Sequence, residues 1–178
     1  IGIIVIIIAI AVVGVMYLSK RAKYMYEVEE VAHVEYNTIN IENRYGVIDG
    51  KGNIVIDPNY DVIQIPNPSK PVFICMSNYN TETKEYETKV INDKKEQIIT
   101  GYQSVQAIPT ETTADGIPFE KSILKYKKDG KYGLINLEGK EITKPIYEDI
   151  TAITYKEGMI QVKQNGKLGI INMNGKEV

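Results

Sequence analysis

A stretch of 20 residues that recurs along the chain constrains its fold more than any other feature. Residues 131–150 read KYGLINLEGKEITKPIYEDI, residues 44–63 read RYGVIDGKGNIVIDPNYDVI, and the pattern starts a third time at Lys167 as KLGIINMNGKEV. The matches fall at fixed places. A first glycine stands at Gly46, Gly133 and Gly169, an Asp or Asn three residues on at Asp49, Asn136 and Asn172, and a second glycine three beyond at Gly52, Gly139 and Gly175. Pro58 and Tyr60 recur as Pro145 and Tyr147, and an aromatic residue precedes the first glycine at Tyr45 and Tyr132. A worn copy from Glu87 keeps Val90, Ile91, Asn92 and Tyr102 but has Lys89 in place of the first glycine. Self-similarity on this scale marks a repeat architecture, in which no unit buries its apolar face alone and neighbours cover one another.

Within each unit the apolar residues alternate, and the breaks carry turn chemistry. SILKYKK at 122–128 runs through Asp129-Gly130 into 131–136, and MIQVKQ at 159–164 runs through Asn165-Gly166 into 167–173. Asp-Gly and Asn-Gly fit a two-residue type I′ hairpin, which needs positive φ at both central residues. Glu42-Asn43 occupies the aligned place in the first unit. A second turn at Lys51-Gly52, Glu138-Gly139 and Asn174-Gly175 leads to a short third strand such as 141–143. Pro58 and Pro145 are expected to end that strand, because proline has no N–H for the ladder. A fourth strand over 148–155 then closes the unit. Ile39, Tyr126 and Val162 lie seven residues before the first glycine and Ile48, Ile135 and Ile171 two after it, so each hairpin presents the same apolar face.

The predicted fold is mainly β: tandem four-stranded antiparallel meanders in an open array or partial propeller-like arrangement, preceded by one transmembrane helix. The repeat region spans 37–178, with units at 44–80, 131–158, a degenerate one at 87–120 and an incomplete one at 167–178. Insertions over 66–70, 80–84 and 109–120 have loop-forming compositions and belong on the edges of the array.

Residues 1–18, IGIIVIIIAIAVVGVMYL, carry no charge and precede Ser19-Lys20-Arg21-Ala22-Lys23. At ~1.5 Å per residue the run covers ~27 Å, close to the ~30 Å hydrocarbon core of a bilayer. It reads as an uncleaved single-pass anchor over 1–19, with lipid as its partner and a juxtamembrane stalk over 20–36. The positive charges after it favour a cytoplasmic repeat domain by the positive-inside rule.

The remaining composition narrows the chemistry. With 21 Lys and Arg against 23 Asp and Glu in mixed order, the chain lacks the basic stripe that a nucleic-acid binder shows. Cys75 is the only cysteine and His33 the only histidine, so no disulfide, thiolate zinc site or paired-histidine site can form within the chain. No glycine-rich phosphate loop, HExxH or GxSxG motif occurs, and no catalytic, metal or cofactor residue is assigned. The Asp49-Gly50-Lys51-Gly52 turn holds a lysine where calcium wants oxygen ligands, and the other copies have Asn; turn chemistry accounts for it better. The carboxylate pairs Glu29-Glu30 and Glu148-Asp149 read as solvated faces. The 13 tyrosines, against two phenylalanines and no tryptophan, suit half-buried strands with one wet end.

The units RYGVIDGKG, KYGLINLEGK and KLGIINMNGK, followed where complete by Pro-x-Tyr, resemble the WG repeats (also called KWG repeats) common in bacterial proteins. Tyr45, Tyr132 and Leu168 stand at the place of the family's tryptophan. The resemblance covers about 37–178 and implies a scaffold with no catalytic residues to carry over. Repeat proteins of this appearance often follow an anchor into the envelope, which leans the repeats towards the extracytoplasmic side against the charge rule. The expected function is a non-enzymatic, membrane-anchored scaffold that binds a protein or cell-envelope ligand. The alternatives are a ligand-sensing input domain and, on strand count alone, a propeller-like enzyme.

Overall fold

The computed structural model describes residues 36–110, 119–153 and 158–178. The predicted membrane helix, the stalk up to residue 35 and most of the 109–120 loop lie outside the described residues. No helix among them is long and apolar enough to cross a membrane.

Alternating sequence and positive-φ turns produce antiparallel strands. The first sheet holds β1 (Asn37–Ile41), β2 (Arg44–Ile48) and β3 (Ile54–Tyr60). The second holds β4 (Val62–Gln64), β5 (Phe73–Asn80), β6 (Glu85–Ile91) and β7 (Gln97–Ile99). The third is β8 (Ser104–Pro109), β9 (Phe119–Lys128) and β10 (Lys131–Asn136), and the fourth β11 (Asp149–Ala152), β12 (Met159–Gln164) and β13 (Lys167–Asn172). The tight hairpins have left-handed pairs at Glu42 (φ 51°) and Asn43 (62°), Asp129 (51°) and Gly130 (75°), and Asn165 (51°) and Gly166 (74°). These are the torsions of a type I′ turn, whose twist matches that of the flanking strands.

Three expectations about the repeat unit need correction. The strand after the repeat's second tyrosine (Tyr60, Tyr102 or Tyr147) does not close its own meander; β4, β8 and β11 instead open the next sheet, pairing with β5, β9 and β12. The reason lies in one amide per unit. Asp61, Gln103 and Glu148 donate their N–H to the carbonyls of Met76, Lys127 and Lys163, at 2.9, 2.9 and 2.7 Å, which carries the chain across to the following hairpin. The predicted strand at 141–143 also shrinks to a single bridge between Ile135 and Glu141, matched by Ile171 to Glu177. The third and fourth sheets reach four members only when those bridged segments are counted.

Proline does not end the third strand either. β3 runs through Pro58, and the register jumps from the pair Tyr45–Tyr60 to the pair Val47–Ile56. The extra residues form a bulge, one of the few places where a strand tolerates a residue without an N–H.

The core lies between consecutive sheets. One cluster joins Val47 and Ile56 to Ile63, Phe73, Cys75 and Ile91 across the first and second sheets. A second joins Ile74, Met76 and Val90 to Val105, Leu124 and Tyr126 across the second and third. A third joins Ile108, Ile123 and Leu134 to Ile150, Ile160 and Val162 across the third and fourth. Because successive strand residues point to opposite faces, Phe73 and Cys75 serve one interface while Ile74 and Met76 serve the other. All four are buried, which is why β5 reads as a continuous apolar run. Tyr36, placed in the stalk by the sequence, belongs to the β body. It is buried, stacks edge-on to Phe73 at 5.0 Å and donates its N–H to Pro68 O at 2.9 Å.

Candidate functional site

The Asp or Asn of each repeat builds the same turn four times. Asp49, Asn92, Asn136 and Asn172 each accept the N–H three residues on at their backbone oxygen, from Gly52, Lys95, Gly139 and Gly175, at 2.9, 3.0, 3.1 and 2.9 Å. Each side-chain oxygen accepts two more N–H bonds, from Lys51 and Asn53 onto Asp49 Oδ1 at 2.9 Å and from Glu138 and Lys140 onto Asn136 Oδ1 at 3.2 and 2.7 Å. Lys94 and Glu96 do the same for Asn92, and Asn174 and Lys176 for Asn172. Asn53 Nδ2 adds a bond to Asp49 Oδ2 at 2.9 Å. Both carboxylate oxygens thus face N–H donors, which holds the Asp49 carboxyl below its usual range, the Asn53 side chain first among the causes. The residue that closes the turn takes positive φ: 84° at Gly52, 83° at Gly139, 76° at Gly175 and 63° at Lys95. Lysine fills a glycine's place in the worn copy.

The first glycine answers a different need. A Cβ on Gly46 would lie 2.4 Å from Ile56 O and 2.9 Å from Pro58 N, and one on Gly133 would lie 2.7 Å from the Tyr126 ring and 2.8 Å from Thr143 O. The residue is small so that the Pro-x-Tyr segment can cross it. At Gly169 the space is open, with Val162 Cγ2 the nearest atom at 3.7 Å. The aromatic before the glycine then meets the repeat's second tyrosine: Tyr45 pairs with Tyr60, and Tyr132 exchanges backbone hydrogen bonds with Tyr147 at 2.8 and 3.0 Å. Pro145 lies between the Glu141 and Tyr147 bridges, as Pro58 lies in its bulge.

A recurring charge pair flanks these tyrosines. Arg44 bonds Asp61, and Lys131 lies 3.5 Å from Glu148 at the aligned places. Gly166 N–H also donates to Glu148 Oε2 at 3.2 Å, and this with Lys131 keeps the Glu148 carboxyl low. Lys125 and Lys127 sit over the Tyr132 ring at 5.2 and 5.7 Å. Burial pushes the Lys125 ammonium below the ordinary lysine range, while the Glu85 partner raises Lys127. Burial lifts the Cys75 thiol to about 12.

Among the described residues, two concavities open to solvent lie beside repeat positions. The smaller, 280 Å³, lies among Ile56, Asp57, Tyr60, Lys89, Lys95 and Gln97, and the Lys95–Asp57 pair at 2.6 Å crosses it. The larger, 580 Å³, runs beside β13 among Tyr147, Val162, Leu168, Gly169, Ile171 and Glu177. Among the described residues no group of three or more His, Cys, Asp or Glu is placed to hold a metal.

The structure brings the predicted residues Tyr45, Gly46, Pro58 and Tyr60 together, and likewise Tyr132, Gly133, Pro145 and Tyr147. Asp49 with Gly52, Asn136 with Gly139 and Asn172 with Gly175 form the separate turns at the far ends of the hairpins. Sequence reasoning missed the residue that follows the repeat's second tyrosine at Tyr60, Tyr102 and Tyr147. Asp61, Gln103 and Glu148 are all polar acceptors, and Gln103 Oε1 takes the Gly130 N–H at 3.0 Å as Glu148 takes that of Gly166. That shared acceptor character was the available signal. No curated protein matches the chain. The family model for the WG containing repeat matches residues 45–66 and 132–167, the two segments that carry the glycine, Asx turn and Pro-x-Tyr geometry in full. The chain is a WG repeat-containing protein.

Proposed function

We propose that the chain is a non-enzymatic, membrane-anchored scaffold whose tandem four-strand units display a β surface to a protein or cell-envelope ligand. The observation that carries this reading is the use made of the recurring residues. Each one closes a turn, admits a crossing segment or packs one sheet on the next, so what the sequence repeats is the means of stacking units. A stack built this way presents edges and loops that are free to vary, as binding solenoids do. The apolar run 1–18 supplies the anchor, and the repeats lie on the extracytoplasmic side.

Two measurements test it. A cysteine placed in the exposed hairpin tip by Thr81→Cys, in a chain whose own Cys75 is buried, reacts with a membrane-impermeant maleimide on intact cells if the repeats are outside. Labelling only after lysis places them inside. Cross-linking of the full chain in cells, followed by recovery of a specific envelope partner, supports the scaffold; turnover of a substrate with no partner recovered overturns it.

A further inference from the structure

The worn copy departs from the repeat at both of its glycines, and the two departures meet. Lys89 takes the place of Gly46 and Gly133, and Lys95 that of Gly52, Gly139 and Gly175. Both line the 280 Å³ concavity between β3 and the hairpin of β6 and β7. Lys89 is opposite Cys75 in register and two residues from Ile91, so it stands on the face of β6 that packs on the first sheet.

Where the second glycine is kept, its turn closes on the sheet before it. A Cβ on Gly139 would lie 3.4 Å from Ile99 Cγ1, and one on Gly175 2.4 Å from Thr143 Cγ2. Ile99 and Thr143 hold the place that Ile56 holds in the first unit. Beside Ile56 the turn instead carries Lys95, held at φ 63°, whose ammonium donates to Asp57 Oδ2 at 2.6 Å. A side chain kept in the left-handed region, where glycine serves the other copies, points to a use for its charge.

The concavity gathers a mixed set of polar groups over the buried side chains of Ile56 and Ile91. Two ammonium groups stand against one carboxylate, and among the described residues Lys89 is matched to no acid, so one positive charge is left over. Asp57, Asn59 and Gln97 add planar oxygen and amide groups, and Tyr60 a half-buried phenol. A few convergent polar groups on an apolar floor are the make-up of a small-ligand site. The surplus charge calls for an anion, and the planar groups for neighbouring hydroxyls.

We propose that this concavity binds a carboxylate-bearing sugar residue of a cell-envelope polymer, with Lys89 on the carboxylate and Asp57, Asn59 and Gln97 on the ring hydroxyls. The proposal rests on the binding-scaffold reading and names the chemistry of its ligand. An acidic peptide would satisfy Lys89 but bring no row of hydroxyls to the other three. Lys95 is the positioning residue, because it neutralises Asp57 beside the incoming carboxylate.

The test uses the full chain in mild detergent and titration calorimetry with a galacturonic acid trimer. Saturable binding is expected, at least tenfold weaker for the uncharged galactose trimer. Lys89→Gln and Lys95→Gly each weaken binding of the acid at least tenfold, the second while its melting midpoint rises. No saturation at millimolar trimer, equal affinity for the uncharged trimer, or an affinity indifferent to both substitutions overturns the proposal. A glutamate trimer that binds as tightly overturns it in favour of an acidic peptide, and inorganic phosphate that displaces the acid at equal concentration reduces the site to a bare anion site. If the acid trimer fails while cross-linking still recovers an envelope partner from both wild type and Lys89→Gln, the scaffold reading stands and this site falls; if both fail, both fall.

Discussion

In the 178-residue chain, replacing the first glycine by alanine has opposite consequences at Gly133, where a segment crosses the glycine, and at Gly169, where none of the described residues does. In Gly133→Ala the new methyl meets the Tyr126 ring at 2.7 Å and Thr143 O at 2.8 Å, separations that van der Waals radii forbid. Neither neighbour yields easily. Tyr126 is fully buried and donates its hydroxyl to Thr143 O at 2.9 Å, so displacing the ring strains the second core cluster and breaks that bond. Overpacking of a dense core costs ~1–3 kcal/mol and the lost hydrogen bond ~0.5–1.5 kcal/mol, about 3 kcal/mol together. For a domain of this size that lowers the melting midpoint by roughly 6–12 °C. In Gly169→Ala the methyl meets only Val162 at 3.7 Å, and alanine restricts the unfolded chain, so stability is unchanged or higher by up to ~1 kcal/mol. Thermal and urea unfolding followed by circular dichroism compare the two variants. Equal midpoints would refute the claim that the first glycine exists to admit the crossing segment.

Lys95 holds φ 63° where the other turns have glycine, a conformation that costs an L-residue ~1–2 kcal/mol. Lys95→Gly is therefore expected to raise the midpoint, more clearly in 0.5 M salt (roughly 4 Å Debye length), where the exposed pair with Asp57 contributes least; a lower midpoint in high salt contradicts this. Asp49 has a lowered carboxyl pKa in the fold, so its contribution is present above the unfolded value near ~3.9 and is lost as pH falls through the folded one. Asp49→Asn keeps the turn, as Asn136 and Asn172 show, and should flatten the fall in stability below about pH 4; an unchanged acid limb in urea titrations contradicts it. Cys75 is 1% exposed with its thiol raised to about 12, so alkylation at pH 8 should proceed only through unfolding and follow the unfolding rate. Stoichiometric labelling of the native chain within minutes would mean that the first interface opens.

The turns were the most legible part of the fold, because each rests on local chemistry: Asp129-Gly130 and Asn165-Gly166 specify their torsions without help from elsewhere. The pairing of sheets by alternate apolar residues was also readable from Ile135 and Ile171, whereas Ile39 and Ile48 of the first unit join none of the three clusters among the described residues. Sheet membership of β4, β8 and β11 was not. A short strand after the repeat's second tyrosine has equal claims on the unit before and the unit after, and the deciding amide bonds from Asp61, Gln103 and Glu148 reach residues 15 to 24 positions ahead. Pro58 misled for a related reason: a bulge needs a partner strand to be seen. Lys95 shows the converse, a residue that local propensity argues against, kept in place by the Asn92 turn bonds around it.

The passage of the strand after each repeat's second tyrosine into the next sheet is what links the units into one body, and nuclear Overhauser contacts read it directly. Cross-strand contacts of Ile150 with Val162 and of Ala107 with Leu124 are expected, as the observed register places them. Contacts of Ile150 with the preceding 141–143 segment in their place would show each meander closing on itself and would contradict the account.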